Sequence, residues 1–274
     1  MHKGNNPYRS IETEVLEVIT ETPTIKTIRL KPEEQITFAT GQFIELTVPG
    51  IGEAPFTPSS RPSVKDMMEV SIMKAGKVTG KIHELKKGDI VGLRGPYGTG
   101  YPLDHFKDKE VLVLGGGVGL APLRSLLYAL FDRINDFKRI YFRYGARTPL
   151  DIVYKEEVKL WSGRDELDFQ ITVDAGDEGW KGRVGVVTTI LDGMAIDCSK
   201  AVAIVCGPPV MMKFSTLELI ALGFKDRNIY LSMEKNMSCG IGKCGHCRLG
   251  TYYACKDGPV FTYDKIKNLP NIWD

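Results

Sequence analysis

From Lys109 onward the chain alternates short, wholly apolar runs with amphipathic stretches, and few folds can accommodate that pattern. Val111 to Leu114 reads as a buried strand, Ala121 to Phe131 as a helix, Arg139 to Tyr144 as a strand, Tyr154 to Trp161 as a helix and Asp168 to Val173 as a strand. Val186 to Leu191 then reads as a helix, Ala201 to Cys206 as a strand, Val210 to Leu222 as a helix and Asn228 to Ser232 as a strand. Strands that are apolar on both faces and separated by helices predict a parallel α/β sheet covered on both sides. Ligands of such open sheets bind outside the carboxyl ends of the strands.

The preceding part has another character. Thr24 to Leu30, Gln42 to Val48 and Met68 to Met73 alternate apolar and polar residues with period two, and only Gly76 to Leu85 looks helical. A small antiparallel β-barrel is the economical way to bury such strands. A short linker around Pro102 to Lys109 joins the two parts. From Glu234 the pattern breaks into a Gly- and Cys-rich loop that ends in Asn271-Ile272-Trp273-Asp274. This segment has little core of its own, so a bound metal centre is expected to organise it. The chain thus divides into a barrel over 8–106, an α/β unit over 107–233 and a C-terminal segment over 234–274.

Charge and hydropathy exclude several functions. Lys and Arg number 36 against 34 Asp and Glu, a net charge of +2, so nucleic acid is not an expected partner. The most apolar stretch, Val111 to Phe131, carries three adjacent glycines and Arg124, which argues against a membrane span. The opening MHKGNNPYRS lacks the apolar core of a signal peptide. A cytoplasmic protein is expected, in which the six cysteines are free, catalytic or metal-bound rather than disulfide-linked.

Four of those cysteines, Cys239, Cys244, Cys247 and Cys255, have the spacing C-x4-C-x2-C-x7-C, and the first three follow the plant-type pattern for a [2Fe-2S] cluster. Gly240, Gly242 and Gly245 free the backbone to aim amides at the sulfurs. Structural zinc is the rival reading, although zinc sites more often present two tight pairs. His246 lies within the loop, but four thiolates suffice as ligands. Gly115-Gly116-Gly117-Val118-Gly119-Leu120-Ala121-Pro122 follows a strand and opens a helix, the context a dinucleotide-binding turn requires, with Pro122 suited to a first helical turn. Cys206-Gly207-Pro208-Pro209 also follows a strand and belongs at the carboxyl edge. Cys198 and Met211-Met212 read as packing residues.

In that order, Gly117 to Pro122, Tyr144-Gly145-Ala146-Arg147 and Cys206 to Pro209 resemble the ferredoxin-NADP reductase superfamily. With Cys239 to Cys255 and Asp257-Gly258-Pro259-Val260-Phe261, the chain resembles the branch that ends in a [2Fe-2S] segment. That branch includes sulfhydrogenase gamma subunits, the B subunit of anaerobic sulfite reductase and the electron-transfer subunit of dihydroorotate dehydrogenase. The resemblance implies FAD on the barrel, NAD(P)H on the sheet and the cluster in the C-terminal segment. The family's flavin motif, Arg-x-Tyr-Ser, has its counterpart in Ala54-Pro55-Phe56-Thr57, which gives Phe56 the ring contact and Thr57 the flavin N5. The motif's arginine is absent, and Arg61, with Ser60 beside it, is the candidate replacement at the pyrophosphate. Gly76-Lys77-Val78-Thr79 resembles the family's phosphate-binding stretch, and Pro96, within Arg94 to Gly98, its turn beside the flavin. Gly115, Gly117, Val118, Gly119 and Pro122 would hold the nucleotide pyrophosphate. Cys206, Gly207 and Pro208 would face the nicotinamide, with Cys206 and Thr57 as the catalytic pair. Asp174 at the adenosine ribose would favour NADH, whereas Arg147 or Arg183 there would favour NADPH. No terminal catalytic centre is recognisable, so the partners implied are the catalytic and electron-transfer subunits of a multisubunit redox complex. A soluble hydrogenase or a sulfur-compound reductase is the first reading. Dihydroorotate dehydrogenase, or a scaffold subunit without flavin, is the alternative.

Overall fold

A computed structural model describes residues 6–273; residues 1–5 of the opening stretch and Asp274 lie outside the described residues. The first half comprises β1 (Ile11–Thr20), β2 (Ile25–Pro32), β3 (Phe43–Val48), β4 (Gly52–Phe56), β5 (Met68–Met73), α1 (Lys77–Ile82) and β6 (Ile90–Tyr97). The strands form one antiparallel sheet in the order β4-β3-β6-β1-β2-β5, curled around Val15, Ile28, Leu30, Ile44, Leu46, Val70, Ile72 and Leu93. Three strands escape the period-two reading, each for a local reason. In β1 the register with β2 shifts between Val15 and Glu17, which breaks the alternation mid-strand. In β4, Pro55 lacks an amide hydrogen and is tolerated because β4 is an edge strand. In β6, Gly92, Gly95 and Pro96 look like turn residues.

The second half comprises β7 (Glu110–Gly116), α2 (Leu120–Asp132), β8 (Arg139–Ala146), α3 (Lys155–Ser162), β9 (Leu167–Val173), β10 (Arg183–Val184), β11 (Val202–Cys206), α4 (Pro209–Ala221) and β12 (Ile229–Ser232). The expected helix over Val186 to Leu191 is instead a single 3-10 turn, Val187–Ile190, because Val187 and Ile190 drop into the core and end the run. The linker is no loose tether either. It forms a turn, Leu103–Phe106, whose Phe106 is fully buried edge-on against Tyr230.

The C-terminal segment adds β13 (Arg248–Leu249), β14 (Tyr252–Tyr253), α5 (Ala254–Asp257), β15 (Val260–Thr262) and α6 (Tyr263–Ile266). Its organisation does not depend on a metal alone, as the sequence suggests. β15 pairs antiparallel with β12 and completes a seven-stranded sheet of order β10-β9-β8-β7-β11-β12-β15. Leu249, Ala254, Phe261, Ile266 and Ile272 are buried in the same core as Leu112, Leu114 and Val205 of the sheet.

Candidate functional site

Strands β8 and β9 lie on one side of β7, and β11 and β12 on the other. The strand order therefore reverses between β7 and β11, where open sheets bind ligands. The parallel register sets Cys206 opposite Gly115, so the glycine turn and Cys206-Gly207-Pro208 form one surface. Gly119 makes that fusion possible, since a Cβ there would lie 2.5 Å from the Cys206 carbonyl oxygen and 2.7 Å from Gly207 Cα. At Gly117, with φ +54°, a Cβ would meet nothing within 4 Å. The turn is thus open above Gly117 at the start of a 13-residue helix, and a pyrophosphate fits there on free amides and the helix dipole. The Tyr144 hydroxyl steadies the turn by donating to the Gly117 carbonyl at 3.2 Å. Val118 and Pro122 lie in the same turn and first helical residues.

Cys206 is 5% exposed, and burial, reinforced by the Glu234 carboxyl, pushes its thiol up to about 12. Such a thiol keeps its proton near neutral pH. Arg147 and Asp174 are both exposed at the exits of neighbouring strands, and Arg183 stands in register with Thr172 on the next one.

On the barrel, Pro55 and Phe56 lie on β4, and Thr57 follows it half-buried. The start of α1 sits beside β4, because a Cβ at Gly52 would touch Val78 at 3.3 Å. Gly76 has open space above it, but the Thr79 hydroxyl accepts the Ala75 and Gly76 amides at 2.9 and 2.8 Å. The amides left over for a phosphate are those of the first helical turn, Lys77 to Thr79. Two further residues named from the sequence are engaged within the protein itself. Ser60 is 3% exposed and its hydroxyl is used by the Glu69 amide at 3.1 Å, so it holds the loop instead of facing the cleft. Arg61 turns to α2, where it pairs with Asp132 and lies over the Tyr128 ring at 4.8 Å.

The cysteine loop packs on the outer face of the barrel. Arg94, 3% exposed in β6, pairs with Glu53 at 2.6 Å and donates to the Cys239 and Ser238 carbonyls at 3.4 and 3.5 Å. Gly240, at φ +72°, lies so close to the Tyr97 ring that a Cβ would be 2.6 Å from it. Cys239, Cys247 and Cys255 are buried and Cys244 is exposed. Amides of Lys243 and Cys244 donate to Cys239 Sγ at 3.3 and 3.5 Å, Gly242 to Cys255 Sγ at 3.1 Å, and Cys255 to Cys247 Sγ at 3.5 Å. Burial alone would raise the Cys239 thiol, but the amides of Cys244, Ile241 and Lys243 outweigh it and bring it down to about 6. Among the described residues the ligating side chains do not converge on a finished metal-holding arrangement. The donor set nevertheless fits iron-sulfur chemistry: four thiols in one short segment, with amides already aimed at three of the sulfurs. His246 is tied by Nδ1 to the Ser238 hydroxyl at 2.8 Å, outside that set.

A cavity of about 580 Å³ separates Glu53, Ala54 and Pro55 of β4 from Lys235 to Ser238 and His246 of the cysteine loop. Beside it, Glu45 of β3 is fully buried, and both its carboxylate oxygens lack a partner. Burial, then the nearby Glu53, raises its carboxyl to about 8. Ala54, Pro55 and Met237 give the cavity apolar surface among polar groups, and with the orphaned Glu45 nearby the space fits a flavin, whose flat ring carries a polar rim. Sequence reading missed Glu45, since its strand alternation assigns it to solvent. It placed Arg94 and Tyr97 only within a turn and missed Arg124, although a lone arginine within the apolar run of α2 is a signal of a buried, partnered cation.

Three family models match the chain: the oxidoreductase FAD-binding domain over residues 12–101, the oxidoreductase NAD-binding domain over 113–216, and the iron-sulfur cluster binding domain of dihydroorotate dehydrogenase B over 234–267. The chain is 40% identical to sulfhydrogenase 1 subunit gamma of Pyrococcus furiosus, over 100% of this chain and 98% of that protein. It is 36% identical to a probable dihydroorotate dehydrogenase B electron transfer subunit of the same organism, over 89% and 87%. A solved NADH-dependent reduced ferredoxin-NADP oxidoreductase superposes with TM-score 0.75 at 26% identity, over 97% of this chain and 93% of that one. The cytochrome b5 reductase domain of Ulva prolifera nitrate reductase shares the fold, with TM-score 0.69 at 22% identity over 82% and 98%.

Proposed function

The chain belongs to the ferredoxin-NADP reductase superfamily, in the branch that ends in an iron-sulfur domain, and from that premise we propose how its residues divide the work. It is an NAD(P)H oxidoreductase subunit with FAD and an iron-sulfur cluster, and it serves a multisubunit redox complex. Bound nicotinamide and flavin exchange a hydride, a two-electron package, while an iron-sulfur cluster passes electrons singly.

Gly115 to Pro122 bind the nucleotide pyrophosphate, and Cys206, Gly207 and Pro208 bound the nicotinamide face. Pro55 and Phe56 wall the flavin ring, Thr57 donates its hydroxyl to the flavin edge, Pro96 closes the adjoining turn, and the Lys77 to Thr79 amides take the flavin phosphates. Cys239, Cys244, Cys247 and Cys255 hold the cluster. No acid-base pair is required, so the protein's contribution is positioning and exclusion of water. The same reading divides the chain into parts at 8–106, 107–233 and 234–274, and the six unpaired cysteines support a cytoplasmic location.

The observation that carries the proposal is the cavity between β4 and the segment that carries the cysteines, lined by Glu53, Ala54 and Pro55 on one side and by Lys235 to Ser238 and His246 on the other. We assign the partner as the catalytic machinery of a hydrogenase or a sulfur-compound reductase, because the sulfhydrogenase gamma relatives span 94% and 100% of the chain. Dihydroorotate dehydrogenase is the second reading, favoured by the match over 234–267. The test is an anaerobic absorption and EPR titration with NADH and then NADPH, alongside iron, zinc and FAD quantitation. Flavin bleaching followed by a reduced [2Fe-2S] signal is expected; zinc, or a colourless protein, would refute the assignment.

A further inference from the structure

The stretch Thr57 to Arg61 leaves β4 directly, and the α/β half grips it at several points. Ser59 donates its amide to the Glu69 carbonyl at 2.7 Å, and Glu69 returns its own amide to Ser60 Oγ, so the stretch is fastened to β5. The Glu69 carboxylate is held in turn by Arg124 of α2, whose Nη1 donates to Glu69 Oε2 at 2.5 Å and to the Ser59 carbonyl at 3.4 Å. The rest of the guanidinium donates to both carboxylate oxygens of Glu157 in α3, at 2.5 to 3.0 Å. Tyr154, just before α3, places its hydroxyl on Ser71, which lies 3.3 Å from Ser59 Oγ. Arg61 completes the grip on Tyr128 and Asp132.

Three of these holding residues, Arg124, Tyr128 and Asp132, are spaced by four and form one stripe of α2. That helix begins at the nucleotide turn. We infer that Arg124 is a positioning residue that makes the bindings of nicotinamide nucleotide and FAD mutually tightening, because it ties the segment after the flavin strand to the helix that caps the nucleotide. The inference rests on the two sites proposed above. Any ligand that fixes the start of α2 fixes this stripe with it, and a flavin seated on β4 fixes the other end. By linkage the coupling is reciprocal. A merely structural role for Arg124 would weaken FAD binding equally with and without nucleotide.

The test titrates the full chain, cluster-loaded and stripped of flavin, with FAD, following quenching of flavin fluorescence with and without saturating NAD+ or NADP+. In the wild type, nucleotide is expected to lower the FAD Kd at least about fivefold. Arg124→Lys keeps the charge, but one ammonium cannot span Ser59, Glu69 and Glu157, and the ratio should fall below about twofold. Glu157→Gln leaves the grip on the barrel and should retain the coupling. If Arg124→Lys does not fold, the neutral combination of Arg124→Met, Glu69→Gln and Glu157→Gln replaces it, as it strands no buried charge. An unchanged Kd in the wild type, or full coupling in Arg124→Lys, would overturn the inference. A wild type that binds no FAD at all would instead sink the proposed function, and this inference with it.

Discussion

Glu45 and Glu69 are both nearly inaccessible carboxylates on barrel strands, yet their surroundings shift them in opposite directions. Burial would raise Glu69, but Arg124 and Arg29 outweigh it and hold the group below the ordinary value. Glu45 has no hydrogen-bond partner, and burial with the Glu53 charge outweighs the nearby Arg94 and raises it to about 8. The folded protein therefore keeps a proton on Glu45 that the unfolded chain releases above its ordinary value of 4.5. Stability from this source is complete at acid pH and is lost as pH rises toward 8, by at most about 1.4 kcal/mol per unit. Glu45→Gln should flatten that fall and be the more stable protein at pH 8, as measured by urea melts at pH 5.5 and 8. Parallel pH dependences in the two proteins would show that Glu45 does not titrate in this window. At the sheet edge, Asp174→Ser is expected to move the ratio of catalytic efficiencies toward NADPH by about tenfold or less, on the scale of one lost charge. A constant ratio would remove Asp174 from the ribose site.

At the scale of elements, the β7–α2 turn depends on two glycines for different reasons. Alanine at Gly119 would drive its Cβ into backbone atoms of Cys206 and Gly207, which cannot swing aside, so the turn must separate from β11. Alanine at Gly117 meets open space and incurs only the left-handed backbone penalty. Gly119→Ala should cost about 3 kcal/mol and Gly117→Ala about 1 kcal/mol in chemical denaturation; the reverse order would show that the β11 contact yields easily. The same turn was legible in the sequence because strand, glycines and helix are contiguous, as are the four cysteines. β7, β8, β9 and β11 were legible too, being apolar over most of their length. β1, β4 and β6 were hidden by a bulge, an edge proline and two glycines. Ser60 and Arg61 follow the flavin motif in sequence, but no local signal tells that α2 pulls their loop away. Arg94 and Glu45 meet the cysteine loop across more than half the chain, a contact that no spacing encodes.

In the whole molecule, the cysteine loop is bounded by β12 and β15, so its framework and its cargo are separable. Of the four cysteines proposed to hold the cluster, Cys244 is the exposed one. Cys244→Ser should abolish electron delivery to a partner while leaving most NAD(P)H-to-dye turnover, because the cavity lining beside β4 is untouched. Equal loss of both activities would show that the cluster holds the fold together. Truncation after Met233 removes β15 and the buried Phe261 and Ile266 and bares the β12 edge. That truncated chain should aggregate on gel filtration, whereas Cys244→Ser should elute like the parent.

The pairing of β15 with β12 also closes the cysteine segment at its base, since the chain leaves the sheet after Ser232 and rejoins it at Val260. A loop whose two ends are already fixed has fewer arrangements to give up when four thiols are drawn together. The sheet ladder thus lowers the conformational entropy that inserting a cluster must remove.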